Sequence, residues 1–378
     1  MRQSWNGPWR SVWTVTLMLF SLTAWPQATV APAIGNVPSK TALLPSPNAE
    51  FQPALGKTFA IPFELAVAGI VTVDIYTPDG DLVRTLTSTN ALPPGGHELI
   101  WDGKDVNQVV VPDEAYVPVL SVHHDDGSIS SDDPRKYSGG EVMDDLHWEF
   151  RGKSEIAFTL PAPARVLIRA GIKDGPMMRA LAYWEPRNAG KVVQRWDGYD
   201  ADKVEYFAEH PRVWVLVLGY RLPAFSILSS GNNASRYADY RRQNNWSRPK
   251  VDVANIPLQR NGKPLEPDNF LPRLGLPQLS VQVKGELPRS LHGLPLATGP
   301  LDFVVDIPRE QRWVLETSMY EVVFFVDYNF VAEEEQGFMP LTWRWDPKDL
   351  RPGRHIATVQ ITGYGGHIFA STTAFETQ

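Results

Sequence analysis

Charged side chains gather at three places where their types and spacing could support chemistry. The first is His123-His124-Asp125-Asp126-Gly127-Ser128-Ile129-Ser130-Ser131-Asp132-Asp133, with Asp144, Asp145 and His147 close behind. Clustered carboxylates suit calcium, which takes about 6–8 oxygen ligands. The aspartate spacing does not follow an EF-hand loop, so the stretch reads as a solvated turn between domains. Zinc at His123 and His124 is disfavoured, because adjacent residues on a strand point to opposite faces. The second place is Glu333-Glu334-Glu335. Glycoside hydrolysis needs two carboxylates about 5–10 Å apart, whereas a run of this kind reads as a charged hairpin tip.

The third place is Asn232 to Lys250. Here Arg236, Arg241, Arg242, Arg248 and Lys250 stand against Asp239, with Tyr237, Tyr240 and Trp246 interleaved. Arginine among aromatic residues is the composition of interface hot spots. Two readings stand: a partner-facing surface, or a loop docked on its own neighbours. The partner-facing reading takes Arg236, Tyr237, Tyr240, Arg241, Arg242, Trp246 and Arg248 as its contact residues.

The sequence contains no G-x-S-x-G, no H-E-x-x-H and no Gly-rich phosphate loop. Cysteine is absent, which excludes thiol nucleophiles, thiolate metal sites, disulfides and a lipid-modified N-terminal Cys. A non-enzymatic protein without cofactor or metal is expected. A net charge of −7 gives no electrostatic reason to expect nucleic acid.

What must position these residues is a repeat. Gly95 to Asp105 reads G-G-H-E-L-I-W-D-G-K-D, and Gly190 to Asp200 reads G-K-V-V-Q-R-W-D-G-Y-D. Trp101 and Trp196 lie 95 residues apart, and the same offset aligns Phe63 with Phe158, Leu65 with Leu160, Val71 with Val166, Asp79-Gly80 with Asp174-Gly175, Arg84 with Arg179, Leu86 with Leu181 and Val109 with Val204. Val71, Val73 and Ile75 alternate with Thr72, Asp74 and Tyr76, the period of a half-buried strand. Turn signals follow at Pro78-Asp79-Gly80 and Pro93-Pro94-Gly95-Gly96. The tryptophan is expected to anchor a core, and the adjacent aspartate to accept hydrogen bonds from the turn.

The chain divides accordingly. Residues 1–33 carry Arg2 and Arg10, an apolar core from Val12 to Trp25, and small residues before Ala31 or Ala33, the pattern of a secretory signal peptide. At 14 residues that core is shorter than the ~20 a membrane span needs. No stable membrane span is expected after its removal. Residues 34–54 are an extended leader, 55–122 the first repeat, 123–150 an acidic connector and 151–222 the second repeat. In the second repeat, the apolar run Val213 to Leu218 is expected to be buried on both faces. Residues 223–277 form a long Pro- and Asn-rich irregular segment. Residues 278–378 form a third β-sandwich domain, with strands expected at Val281–Val283, Phe303–Ile307, Tyr320–Phe330, Leu341–Trp345, Ile356–Ile361 and His367–Phe375. Its W-D-P-K-D at 345–349 reads as a related turn and not a third copy, since Pro352-Gly353 follows the Trp there. The fold class is all-β: tandem immunoglobulin-like or fibronectin-like sandwiches.

On V-T-V-D-I-Y-T-P-D-G-D-L-V-R-T-L (71–86), G-G-H-E-L-I-W-D-G-K-D (95–105) and the closing Tyr116 to Leu120, the repeats resemble the immunoglobulin-like domain of the flagellar hook-capping protein family. That domain type occurs in many secreted bacterial proteins. The second copy has Gly171 at the Tyr76 position. The resemblance implies a fold and does not imply the flagellar role, because sandwich domains host many functions. The expected protein is exported, periplasmic or extracellular, and scaffolds an envelope or extracellular protein. The alternative is a carbohydrate-binding or accessory module of a polysaccharide-processing system, supported by the nine Trp that follow residue 33.

Overall fold

The computed structural model describes residues 41–46, 51–143, 146–152, 155–232, 234–246, 255–270, 276–315, 319–363 and 367–378. Residues 1–33, where a signal peptide is expected, lie outside the described residues.

The first module is built from β1 (Ala42–Leu43), β2 (Phe59–Leu65), β3 (Ile70–Tyr76), β4 (Leu82–Thr87), β5 (Gly95–Trp101), β6 (Ala115–His123) and β7 (Ile129–Asp132). Strict alternation in β2 buries Phe59, Ile61, Phe63 and Leu65 on one face. Strand β3 answers with Val71, Val73 and Ile75 from the facing sheet. Gly80 closes the β3–β4 turn at φ 88°, a backbone conformation that side-chain-bearing residues rarely adopt.

The second module comprises β8 (Val142–Met143), β9 (Trp148–Arg151), β10 (Glu155–Leu160), β11 (Ala164–Ile172), β12 (Met177–Arg187), β13 (Gly190–Arg195) and β14 (Val213–Arg221). After it come β15 (Ile227–Leu228), α1 (Tyr237–Gln243), β16 (Gln259–Arg260) and β17 (Lys263–Pro264). The third module comprises β18 (Ser280–Val283), β19 (Leu296–Ala297), β20 (Leu301–Asp306), β21 (Tyr320–Val326), β22 (Asn329–Glu334), β23 (Leu341–Trp345), β24 (Gly353–Gly363) and β25 (Ile368–Thr377).

Six strands follow the same order in all three modules. One sheet runs β1-β2-β5, β9-β10-β13 or β18-β20-β23. The other shares β4-β3-β6, β12-β11-β14 or β22-β21-β24, and is then extended differently: by β15 and β7 on β6, by β8 on β14, and by β25 and then β19 on β24. The third domain thus repeats this six-strand order, where the sequence alone suggested a related turn at 345–349. Trp345 ends β23 as Trp101 ends β5, and Asp346 accepts from Lys348 N at 3.2 Å as Asp102 accepts from Lys104 N at 3.1 Å. The sequence hides the match because Pro347 stands where Gly103 and Gly198 adopt φ 72° and 84°.

Two further expectations change. The strand buried throughout is β11, all nine residues of it, whereas β14 alternates between buried and half-buried positions. Strand β11 lies between β12 and β14, and its outer face is covered at Leu167 by Trp184 and Tyr220. The run expected at 320–330 is a hairpin, turned at Asp327 and Tyr328 with φ 46° and 66°.

The segment after β14 is a strap. Strand β15 returns to pair with the start of β6, giving the first module its last strand. Ser229 N donates to Glu114 O at 2.9 Å, and Asp113 accepts from Gly231 N and Asn232 N at 2.9 and 2.8 Å. Further on, Arg260 donates to Glu141 Oε1 at 3.1 Å, and Trp184 Nε1 donates to Asp268 Oδ2 at 2.8 Å. The irregular composition reflects a chain that binds neighbours through single residues and short bridges more than through long ladders.

Candidate partner-binding surface

Helix α1 sits on the first module with its inner face over two acidic turns. Tyr237 donates to Asp79 Oδ2 at 2.6 Å, and Arg241 Nε donates to Asp81 Oδ2 at 2.9 Å. Both aspartates belong to the β3–β4 turn. Tyr240 donates to Asp105 Oδ2 at 2.9 Å. Asp105 is the last residue of W-D-G-K-D, and its Oδ1 accepts from Asn107 N and Val109 N, both at 2.9 Å. The helix thus reads the repeat motif itself. Trp246 packs edge-on against Tyr240, with ring centroids 5.2 Å apart at 89°, and borders the first core.

The electrostatics follow from that docking. Burial opposes the charge on Arg241, but Asp79, Tyr237 and Asp81 outweigh it and raise its pKa. Burial pushes the Asp81 carboxyl up, with Arg241 pulling the other way. Burial and then the Asp105 carboxylate raise the Tyr240 phenol.

Of the residues expected to face a partner, Tyr240 and Arg241 are buried, and Tyr237 and Trp246 are half-buried against the first module. Arg248, like Lys250, lies outside the described residues. Arg236 and Arg242 point outward with side chains 61% and 52% exposed, sharing Asp239 at 3.1 and 2.9 Å. The inward set is docked on the first module: a desolvated guanidinium is stable only when its charge is matched, and Asp79 and Asp81 of the β3–β4 turn match that of Arg241.

The acidic connector is built, not loose. Strand β7 pairs with β6, and the turn between them is fixed by Ser128, whose N and Oγ donate to Asp126 Oδ1 at 2.9 and 2.6 Å. Asp133 caps a short helical turn and holds Arg135 by two bonds at 2.9 Å. Asp132 accepts from Leu43 N at 2.8 Å, joining the connector to β1. Asp144 and Asp145 lie outside the described residues. Among the described residues no three His, Asp or Glu side chains converge as metal ligands. Glu333 and Glu334 end β22 and, with Glu335, are exposed.

Sequence reasoning missed the joins between modules. Glu114 and Arg165 form a buried ion pair between the first and second. Between the second and third, Thr372 N donates to Asp202 Oδ2 at 2.7 Å, Met177 N to Gln360 Oε1 at 2.8 Å, and Arg354 Nη1 to Glu205 Oε2 at 2.6 Å. His367 meets the Tyr183 hydroxyl at the same join. The available signal was Arg165 and Arg169 inside an otherwise apolar strand, since charged residues in buried strands require partners.

No family model matches the sequence, and no curated protein matches it. Among solved structures the chain is similar to the tetra-tandem repeat in the extending region of a large adhesion protein, at 10% identity over 90% of this chain and 74% of that one, with a TM-score of 0.20. It is similar to fibronectin(III)-like modules of Clostridium thermocellum CbhA at 8% identity, 85% and 87% coverage and a TM-score of 0.18. The central fibronectin-III array of RIM-binding protein gives 10% identity, 89% and 94% coverage and a TM-score of 0.16. Among the described residues no helix is long and apolar enough to cross a membrane.

Proposed function

We propose that this chain is a non-catalytic, exported scaffold that holds a protein partner at the cell envelope, periplasmic or extracellular. The observation that carries the proposal is the stapling of three like modules into one body by the Glu114–Arg165 pair, the β15–α1 strap and the Asp202, Glu205 and Gln360 bonds. Domains joined by linkers alone move freely; buried bonds at each join fix the spacing of surfaces far apart, which is what a scaffold requires. The outward face of α1, with Arg236 and Arg242, supplies cations to an acidic partner surface. The W-D-G-x-D loops support placing the first two modules with the immunoglobulin-like domain of the hook-capping type. The pattern of residues 1–33 supports export, and N-terminal sequencing of protein from the native envelope should find a start between about residues 29 and 34.

The test is capture of mature protein from envelope extracts, read by mass spectrometry, beside an Arg236→Glu, Arg242→Glu variant. A protein enriched by the wild type and lost with the variant supports the reading. Equal recovery by both removes the helix face as the contact. A second reading, a carbohydrate-binding accessory module, is favoured by one observation: Tyr199 and Tyr206 stand exposed side by side on the second module.

A further inference from the structure

In both repeats the W-D-G-x-D loop closes through one isolated antiparallel bridge. It joins Lys104 to Val110 in the first module and Tyr199 to Tyr206 in the second. The bridges are equivalent. Just beyond them, Val111 N donates to Gly103 O and Phe207 N donates to Gly198 O, each at 3.0 Å. Asp105 N donates to Val109 O and Asp200 N to Glu205 O, at 2.9 and 3.0 Å. One backbone therefore carries a Lys–Val pair in one copy and two tyrosines in the other. The difference is local, because Trp101 and Trp196 donate to the main chain of the same loop position at 3.0 and 2.9 Å.

The tyrosines are held rather than loose. Their ring centroids lie 5.2 Å apart at 66°. Tyr206 rests on Gly198, where an added Cβ would come within 2.3 Å of Tyr206 Cε2. Tyr199 N donates to Asp197 Oδ1 at 3.2 Å, which fixes the base of the other ring. Yet the residues remain 38% and 39% exposed. The fringe is polar: Arg179 Nη1 donates to Asp197 Oδ1 at 2.7 Å and to Tyr199 O at 3.2 Å, and Lys203 pairs with Asp197.

We propose that Tyr199 and Tyr206 form a stacking platform for a neutral sugar ring, with Asp197, Arg179 and Lys203 reaching its hydroxyls. This rests on the carbohydrate-binding reading above. A pyranose has an apolar C–H face and a rim of hydroxyls, matching rigid aromatic surface bordered by charged hydrogen-bonding groups. A protein partner would need a much larger patch with an apolar centre, and here two rings stand beside one charged cluster.

The probes are cellohexaose, chitohexaose, xylohexaose and maltohexaose, titrated into the full mature chain by calorimetry. At least one is expected to bind. The double variant Tyr199→Lys, Tyr206→Val installs the pair that the first module already accommodates, so the loop should fold. It should weaken binding by about tenfold or more with an unchanged melting temperature, while Tyr206→Phe retains most affinity. Undiminished binding by the double variant places the sugar elsewhere and overturns this site while leaving the carbohydrate reading intact. Failure of all four sugars to bind the wild type overturns both.

Discussion

Glu114 and Arg165 meet where the first module passes to the second, with 3% and 1% of their surfaces exposed. Arg165 Nη1 also donates to Trp184 O at 2.6 Å, and Glu114 Oε1 accepts from Ala115 N at 2.6 Å. The pair is thus tied to the backbone on both sides of the join. Removing one partner strands a charge in a dry site, which costs about 3–5 kcal/mol. Arg165→Met alone should cause a loss of that order in denaturant unfolding. Glu114→Gln combined with Arg165→Met should cost less than the two single changes added together. Additive losses would show that the residues do not act as a pair.

Trp101 and Trp196 are 0% and 3% exposed and occupy matching places in two cores, against Tyr116 and Phe207 respectively. Replacing either with Ala should destabilise by about 3–5 kcal/mol, the range for large buried aromatics. Trp345, half-buried on the third core, should cost less. Thermal or chemical unfolding of the three variants ranks them.

The repeat was legible because its signal is local: turn glycines, alternating apolar residues and a tryptophan fall at fixed offsets. The gap-free alignment slips within β12, where Ile168 pairs with Ala182 although its counterpart Val73 pairs with Leu86, recovers at the W-D-G-x-D loop, and ends at Asp105 and Asp200. Val109 aligns by bonding with Glu205, not Val204. In the closing strands, Ile70 pairs with His123, while its counterpart Arg165 pairs with Tyr220, 97 residues on from His123. Bulges within β12 and insertions in later loops shift register while the turns and the tryptophans stay in step. The strap was illegible for a different reason. Residues 227–246 contact the first module more than a hundred positions upstream, as Tyr240 to Asp105 shows, and no periodicity encodes so distant a partner. Arginine and tyrosine in a loop look alike whether they serve a partner or the chain's own turn, so α1 could be noticed but its inward face could not be assigned.

His367 reports on the join between the second and third modules. Burial, reinforced by the Arg169 guanidinium, lowers its pKa from 6.5 to about 4, and its ring meets the Tyr183 hydroxyl. The folded state thus binds fewer protons than the unfolded state between these values. Stability from the neutral ring is complete above pH ~6.5 and is lost as pH falls through ~4, by up to about 3 kcal/mol. Asp200, whose carboxyl burial raises, acts with the opposite sign, so the comparison must isolate the imidazole. His367→Gln should flatten the fall in melting temperature between pH 7 and 4. Parallel curves for both proteins would remove His367 from the acid response.

Arg241 and Arg242 are neighbours with opposite surroundings, which makes them a test of what α1 does. Arg241 is 5% exposed and lies against Asp79 and Asp81 at 3.4 and 2.9 Å. Arg242 is half open to solvent and pairs with Asp239, on its own helix. Replacing Arg241 with Ala leaves two carboxylates of the β3–β4 turn without their cation and undercuts the contact that fixes the helix. The expected cost is at the lower end of the about 3–5 kcal/mol for breaking a buried pair, because Asp81 keeps some access to water. Arg242→Ala should change stability by about 0.5 kcal/mol or less, as exposed pairs of this spacing do. If Arg242 meets an acidic partner, its removal should weaken that complex, and rising salt should weaken the wild-type complex more than the variant, since screening acts on the charge removed. A melting temperature lowered equally by both substitutions would mean that the two faces of α1 are not distinct, and the assignment of its outer face to a partner would fall.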